Sequence, residues 1–529
     1  MKELLNALLT KYGFGELVGD ILPVSGGLMH KMYKAQTERG TFAVKCLNPD
    51  IMKRPGVFDN YARAEALETL LDNNGIPIVP AFTFDGKKMV EVGGRYFYIF
   101  RWQKGHITDQ GNISKEQCYK AGEILGKIHA IDVHNVEASE PELSAIDFRN
   151  YLKEVKQKES SIAVIFEESI ELLEYAQDKL NEARKMLPAM KAISNDDMDP
   201  KNIMWDKGEP YVIDLECLGY SNPVASCLDL SLQWAGTVNQ SFSRENLSAF
   251  YNGYLSAYDN GFRSYDELYG IAYTWVEWLE YNIKRALGIE GTTDEDIKLG
   301  EAETINTIGR IKYLYSLEKD ICDVFNNLPL PDAKNYKTHD DTLCYVDLAF
   351  EGGLDNLQYF ELPDGYRFTY YHPGDKKEWI DIEMSAGELL SLEQGEECWD
   401  RYYGCKENEL SRRMVFVVDK EGNKVATATA YYDIHTVDAP ENGQLHWVAI
   451  RKNYQGKGLS KPLITHALKL MSELGYTCTK IHTQTNTWLA CKIYYSLGFR
   501  PTKESLGNNR FGWKMVGLLT GIDYFGGRI

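Results

Sequence analysis

The 529 residues exceed what one hydrophobic core can enclose, so the chain is expected to divide into at least two globular units. With 44% hydrophobic and 26% charged residues the composition excludes long disordered tracts, and a formal charge of −19 argues against a nucleic-acid partner, whose phosphates have to be met by Lys and Arg. No stretch approaches the ~18 consecutive apolar residues of a membrane span, and the ten cysteines show neither Cys-x-x-Cys nor zinc-finger spacing, which points to reduced thiols without a metal cluster.

The opening segment, residues 1–20, reads as an amphipathic helix lacking the basic and apolar regions of a signal peptide, so a soluble, cytoplasmic protein is expected. Hairpins follow: a glycine turn at Gly26 and Gly27, a strand from Met32 to Gln36, a turn at Glu38 to Gly40 and a strand from Thr41 to Lys45. A helix is predicted from Asn60 to Asn73, with Leu67, Leu70 and Leu71 on one face, and two strands then end in Arg95 to Trp102. Beyond Gly105 the pattern turns helical, with helices from Lys115 to Ala130 and Ser160 to Met186, a β-rich insert from Asn195 to Glu216, and further helices to Asn326. This gives a strand-rich N-lobe (about 1–103) and a helix-rich C-lobe (about 104–326). The Pro-containing stretch from Asn327 to Asp332 opens an expected connector, 327–356. From 357 to 529 strands (Met414 to Val418, Val425 to Tyr432, Leu445 to Ile450, Thr479 to Gln484) alternate with a helix from Leu459 to Leu474. The expected fold class is an α+β chain of two domains.

In the first domain Asp197 and Asn202 stand in D-x-x-x-x-N spacing, and Asp214 ends an apolar strand twelve residues later. Metal-assisted phosphoryl transfer needs this set: one carboxylate to orient or deprotonate the acceptor hydroxyl, an amide and a second carboxylate to hold Mg²⁺ against the phosphates of ATP. Ser25, Gly26 and Gly27 could cover those phosphates, and Lys45 in Ala-Val-Lys sits where a strand lysine meets them. Glu65 would be its helix partner, and Phe97 to Trp102, with Phe100 and Trp102, the hinge against adenine. With these parts, and the helix from Ala121 to Ala130, residues 1–326 resemble the aminoglycoside phosphotransferase/choline kinase family, a bilobal protein-kinase-like fold. The resemblance implies that Asp197 is the catalytic base, that Asn202 and Asp214 are metal ligands, and that Asp229 braces the catalytic loop. Asn195 departs from it, standing where the family has His. Acceptor recognition is less specified: Trp275, Glu277, Trp278 and Glu280 are compatible with a cage for a cation, but read first as core tryptophans and solvated glutamates.

In the second domain an apolar strand, Trp447 to Ile450, runs into Gln455-Gly456-Lys457-Gly458-Leu459-Ser460, which opens a helix. Glycines let backbone N–H groups point at an anion, and the helix dipole adds positive charge there, so a pyrophosphate fits such a loop. About thirty residues on comes Asn486 to Phe499, with Ala490, Tyr494, Gly498 and Phe499. Together the two stretches resemble the GNAT acetyltransferase superfamily over residues 357–529, an α/β fold on a mixed, mostly antiparallel sheet, with Ser460 in place of the usual small Gly or Ala. The resemblance implies that Gln455 to Ser460 hold the pyrophosphate of acetyl-CoA and that Val448 and Ile450 pair with its pantetheine arm. It also places Asn486 in the cofactor site and makes Tyr494 the acid that reprotonates the thiolate. His446 is a candidate general base.

The expected protein is therefore a bifunctional transferase, an N-acetyltransferase using acetyl-CoA and a phosphotransferase using ATP and Mg²⁺. Its acceptor would be a small, cationic molecule bearing amino and hydroxyl groups, such as an amino sugar, aminoglycoside or amino alcohol. The alternative is an acetyltransferase acting on a protein or small amine, regulated by a kinase-like domain that binds a ligand without turnover.

Overall fold

The computed structural model describes residues 1–24, 30–109, 111–131, 141–355, 357–432 and 442–526. It divides into two compact units: residues 1–259 with 263–329, and residues 330–529 with the short piece 260–262.

The first unit opens on a five-stranded antiparallel sheet in the order β1-β2-β3-β5-β4, formed by Leu22–Val24 (β1), Lys31–Thr37 (β2), Gly40–Cys46 (β3), Val90–Val92 (β4) and Arg95–Arg101 (β5). Strand alternation decides which residues face the core: Phe42, Val44 and Cys46 pack with Phe97, Ile99, Leu5 and Leu8, which leaves Lys45 on the opposite face. The helix Val57–Asn73 buries Tyr61, Ala64, Leu67, Glu68 and Leu71 at helical spacing. Buried Glu68 is met by the Lys88 ammonium at 2.8 Å and by the Ala81 N–H at 2.6 Å.

The helical part of this unit is built around two helices, Lys115–His129 and Arg244–Ala257, in backbone contact. A Cβ on Gly122 would lie 2.0 Å from the Phe250 carbonyl oxygen, and one on Gly253 2.0 Å from that of Tyr119. The first of these helices starts in a capping box between Ser114 and Gln117. The single helix expected from Ser160 to Met186 is broken into Ala163–Glu167 and Ile170–Met186; between them the Ser169 hydroxyl closes back on the Ile165 carbonyl at 2.6 Å. The β-rich insert forms two small sheets. One pairs Ala192–Asn195 (β7) with Leu218–Ser221 (β10); the other orders His106–Ile107 (β6), Ile203–Asp206 (β8) and Glu209–Val212 (β9) as β6-β8-β9. Lys207 and Gly208, both at positive φ, close the β8–β9 hairpin.

The second unit is a seven-stranded mixed sheet, β12-β13-β14-β15-β16-β11-β17, built from Asp347–Gly353 (β11), Arg367–Tyr370 (β12), Met414–Val418 (β13), Lys424–Tyr432 (β14), Asn442–Ile450 (β15), Cys478–Gln484 (β16) and Arg500–Pro501 (β17). Every pair is antiparallel except β15–β16. The segment read from sequence as a connector thus contains β11, which pairs along the whole of β16. Helices Lys376–Ala386, Leu392–Tyr402 and Ser460–Glu473 pack on this sheet, and Trp379, Trp399, Tyr403, Phe416 and Tyr431 form one aromatic-rich core cluster.

Candidate active sites

In the first unit Lys45 is 6% exposed, and its ammonium meets two carboxylates, Asp214 Oδ1 at 2.7 Å and Glu216 Oε2 at 2.6 Å. Burial opposes its charge, but the two carboxylates outweigh that and raise its pKa. Asp214 gets there by a backbone twist. It follows β9, which is tied down by Val79 N–H to the Val212 carbonyl (2.9 Å) and Val212 N–H to that of Pro77 (2.8 Å), and it takes φ 61°, the left-handed region that costs an L residue energy. Glu216 is held in turn by His30, whose Nε2 lies 3.3 Å from it. Because His30 Nδ1 accepts the Asn48 N–H at 3.0 Å, the ring proton is assigned to Nε2. Burial works against ionising Glu216, yet His30 and Lys45 together hold its carboxyl well below the usual range.

The expected pairing of Glu65 with Lys45 is not made. Glu65 accepts instead from the Lys88 and Met89 N–H groups (3.1 and 2.9 Å) and from the Tyr98 hydroxyl (2.9 Å), so both its oxygens are taken. Glu216 fills the place; its only signal in the sequence is that it is an acid two residues beyond Asp214. Ser25, Gly26 and Gly27 lie outside the described residues. At the expected hinge Phe97 is wholly in the sheet core, Phe100 is half-buried, and Trp102 carries the Lys34 ammonium 4.3 Å over its ring.

The loop after β7 is braced from several sides. Met198 N–H bonds to the Asn195 carbonyl at 2.9 Å, and Trp234 Nε1 to the Met198 carbonyl at 3.0 Å. Asn202 Nδ2 donates to the Asp197 carbonyl at 2.7 Å, which leaves Asn202 Oδ1 with no donor among the described residues. Asn202 Oδ1, Asp214 and Glu216 are all oxygen donors, the set a hard divalent cation such as Mg²⁺ requires. Asp197 keeps its proton up to about 6, chiefly through burial and against the pull of Lys201, 3.5 Å away. Asn195 is fully buried: its Oδ1 receives the Asp197 N–H at a long 3.4 Å, while its Nδ2 has no partner. Asp229, expected to brace this loop, accepts from Gln233 at 2.8 Å on its own helix. The bracing carboxylate is Asp196, which collects the hydroxyls of Ser194 (2.8 Å), Ser226 (2.7 Å) and Ser221 (3.3 Å). Trp275 and Trp278 are half-buried rather than core, and the polar groups beside them are already engaged: Arg310 stacks over Trp275 at 4.6 Å, Glu277 pairs with Arg184 at 2.6 Å, and Glu280 accepts from Tyr151 at 2.8 Å.

In the second unit the decisive feature is where two parallel strands part. β15 and β16 pair only from Asn442 to Leu445 against Cys478 to Ile481, although β15 runs on to Ile450 and β16 to Gln484. The cause lies on the other edge of β15, where an extra residue enters the ladder between His446 and Ala449 and Trp447 takes φ 47°. Val448 sits in this bulge. Ile450 pairs with Ala426, and its carbonyl accepts Gln455 Nε2 at 3.1 Å. The Gln455 side chain is thus fixed on both sides, its Oε1 receiving the Thr338 hydroxyl at 3.0 Å. Gly456 and Gly458 adopt φ 74° and 77°, and the loop enters the helix Ser460–Glu473. No protein acceptor takes the N–H groups of Gly456, Lys457, Gly458 or Leu459 among the described residues. With the helix N-terminus at Ser460 they form a concave anion site. The Lys457 ammonium lies over the Tyr454 ring at 4.3 Å.

Tyr494 is 6% exposed, and its ring packs edge-on to Phe350 at 5.8 Å. Burial raises its pKa, so the phenol keeps its proton at neutral pH, and the hydroxyl has no hydrogen-bond partner among the described residues. His446 is pinned among aromatic rings, with Nδ1 2.9 Å from the Tyr403 hydroxyl and its ring stacked on Tyr431. Asn486 Nδ2 lies 3.2 Å from both His339 Nε2 and Asp341 Oδ1, while its buried Oδ1 is unpartnered. His339, which the sequence reading placed in the connector and left without a role, sits between Glu388 (3.3 Å) and Asp341 (2.9 Å). Its pKa rises to about 9, Glu388 contributing most.

Residues 20–268 match the model of the phosphotransferase enzyme family, and residues 377–499 match the acetyltransferase (GNAT) family. A mycothiol acetyltransferase from Corynebacterium aurimucosum is 33% identical over 70 residues, which cover 13% of this chain and 23% of the relative's length. Among solved structures, a spectinomycin phosphotransferase in complex with ADP and spectinomycin is 13% identical, covering 62% of this chain and 99% of its own at a TM-score of 0.45. An ethanolamine kinase from Plasmodium vivax is 15% identical, covering 58% of this chain and 84% of its own at a TM-score of 0.39.

Proposed function

Because the chain joins a phosphotransferase-family domain at residues 20–268 to a GNAT acetyltransferase domain at 377–499, we propose that it is a bifunctional enzyme modifying small molecules that carry both a hydroxyl and an amine. The first unit transfers the γ-phosphoryl group of ATP to the hydroxyl, and the second transfers acetyl from acetyl-CoA to the amine. The observation that carries this reading is that each unit holds both a group suited to an anion and a proton carrier. These are Lys45 and Asp197 in one, and the open N–H groups of Gly456 to Leu459 and the protonated Tyr494 in the other.

In the first unit Lys45 meets the nucleotide phosphates, and Asp197, once ionised, takes the proton of the acceptor hydroxyl. Asn202 Oδ1 and Asp214 would hold Mg²⁺, which supplies charge neutralisation at the transferring group. Glu216, fixed by His30, keeps Lys45 extended into the cleft. In the second unit the loop from Gln455 to Ser460 binds the pyrophosphate of acetyl-CoA, and the unpaired edge of β15 at Val448 and Ile450 bonds the pantetheine arm. The amine attacks the thioester carbonyl, a C–N bond forms, and the C–S bond breaks as Tyr494 gives its proton to sulfur. The nitrogen's surplus proton restores the phenol.

A second reading, in which the first unit binds a ligand without turnover and regulates the second, draws on Asn195, whose unpartnered Nδ2 leaves the catalytic loop less firmly supported. One screen separates the two. The protein is incubated with ATP/Mg²⁺ or acetyl-CoA and a panel of aminoglycosides, amino alcohols and polyamines, and products are read by mass. Gain of a phosphoryl group in one arm and an acetyl group in the other is expected. Acetylation alone would favour the regulatory reading, and no gain in either arm would reject the small-molecule reading. No helix among the described residues is long and apolar enough to cross a membrane.

A further inference from the structure

We propose that Glu383 receives the ammonium group of the acetyl acceptor, and that this acceptor is a small primary amine; the inference rests on the acetyltransferase reading of the second unit. Glu383 lies on the helix Lys376–Ala386, which crosses β14 and β15. It stands one turn from Trp379, and both are 0% exposed. The Trp379 ring touches those of Trp399 (5.3 Å), Tyr403 (5.5 Å) and Trp447 (5.2 Å). The Glu383 carboxyl lies close enough to Tyr403 to raise its pKa, so it belongs to the same layer. The sheet side of this layer is lined by Thr427, Thr429 and Tyr431, alternate residues of β14 on one face.

Polar groups in this layer fall into two sets. Tyr403, Thr429 and His446 form a closed chain, with the Tyr403 hydroxyl 3.2 Å from Thr429 Oγ1 and 2.9 Å from His446 Nδ1. By contrast both carboxyl oxygens of Glu383, Trp379 Nε1 and Thr427 Oγ1 are buried without a hydrogen-bond partner among the described residues. A buried carboxyl with neither oxygen satisfied is rare and destabilising in a finished core. Of these residues Trp379 packs on Trp447, the residue at which β15 bulges and the two parallel strands part, and Thr427 pairs with Ala449 just beyond it. A buried carboxyl on the same helix as Trp379, near Tyr403 and in an aromatic-rich layer, is chemistry suited to an organic cation, through ion pairing and cation–π contact together. Burial also pushes the Glu383 pKa far up, so the carboxyl rests protonated and releases that proton to solvent as an ammonium ion comes to pair with it.

The step balances. The acceptor arrives as an ammonium ion paired with the Glu383 carboxylate. In a medium of low dielectric the pair relaxes to neutral amine and carboxylic acid: one N–H bond breaks, one O–H bond forms on Glu383, and the freed lone pair attacks the thioester carbon. Glu383 keeps that proton as the amide leaves, which restores its resting, protonated form.

The full-length protein and its Glu383→Gln and Glu383→Asp variants are compared for acetyl-CoA binding by calorimetry, for melting temperature, and for acetylation of an equimolar mixture of spermidine, phenylethylamine, ethanolamine and glucosamine. The wild type should acetylate at least one of the four. Glu383→Gln should bind acetyl-CoA unchanged, melt no lower than wild type, and lose about 100-fold in transfer with a raised KM for the amine, whereas Glu383→Asp recovers part of the rate. Transfer by Glu383→Gln within a factor of about three of wild type overturns the proposal. So does a marked drop in its melting temperature, which would make the carboxyl structural, and so does a wild type that binds acetyl-CoA yet acetylates none of the four amines. Failure of the wild type to bind acetyl-CoA would instead reject the acetyltransferase reading on which the proposal rests.

Discussion

Asp197 keeps its proton to about pH 6 because burial outweighs the nearby Lys201 ammonium. Its sign matters twice. As a base it works only when ionised, so kcat/KM for phosphoryl transfer should fall about tenfold per pH unit below 6, and Asp197→Asn should lower kcat by about 10²–10⁴ while leaving ATP affinity in place; a pH–rate profile and ATP calorimetry check both. For stability the same raised pKa means that the folded chain holds this proton where the unfolded chain has released it, so its contribution diminishes as pH rises from the ordinary 3.8 towards 6. Asp197, Asn202 and Asp214 stand out in the sequence because short spacing puts the first two in one loop and the third just past β9, and Lys45 because it lies on a strand, β3. Which acid meets Lys45 was not legible. That choice turns on the φ of 61° at Asp214, which brings Glu216 round as well, and on Glu65 being taken by the Lys88 and Met89 N–H groups. Nor could spacing show that Glu383 would be buried with both oxygens unsatisfied, since an acid on a helix reads as solvated until the partner surface is known.

Between elements, the contact of helices Lys115–His129 and Arg244–Ala257 depends on having no side chain at Gly122 and Gly253. A methyl group at Gly122 would meet a carbonyl, which cannot rotate away as a side chain can, so the helices must separate along their length. Gly122→Ala is expected to cost about 3 kcal/mol, at the upper end of overpacking penalties and despite the gain in helix propensity, read as a lowered denaturant midpoint for loss of ATP binding. The helix itself was readable from its apolar periodicity; the reason for its glycines was not, because the partner is over a hundred residues away. The strand Asp347–Gly353 escaped notice for a different reason. It offers only Leu348 and Phe350 as alternating buried residues before ending in two glycines, too short a pattern to stand out from a polar stretch. The break before Ile170 was equally hidden, since neither proline nor glycine marks it and one serine side chain makes it. The parting of β15 from β16 stems from a single inserted residue at Trp447, a feature of pairing and not of the strand's own composition.

For the whole molecule, the two compact units each hold a complete set of candidate groups: Lys45, Asp197, Asn202, Asp214 and Glu216 in one, Gln455 to Ser460, Tyr494 and Glu383 in the other. The two chemistries should therefore be separable. Asp214→Ala is expected to abolish ATP turnover while acetyl transfer persists. Tyr494→Phe should lower acetyl transfer by about 10²-fold or more while ATP turnover persists, with both rates measured on each full-length variant. That two domains exist, and of which kinds, was readable from length and from the paired motifs; where one ends was harder, because the boundary falls in chain that one sheet has recruited. Strand β11 carries a practical consequence. A C-terminal fragment cut at residue 357 would lack it, leaving β16 joined to the sheet by only the four residue pairs it shares with β15. Its other flank would become a row of unsatisfied amides and carbonyls, a template for self-association, and Phe499 would lose the glycine surface at Gly352 against which it rests. Anyone dividing this chain into its working halves should make the cut upstream of Asp347.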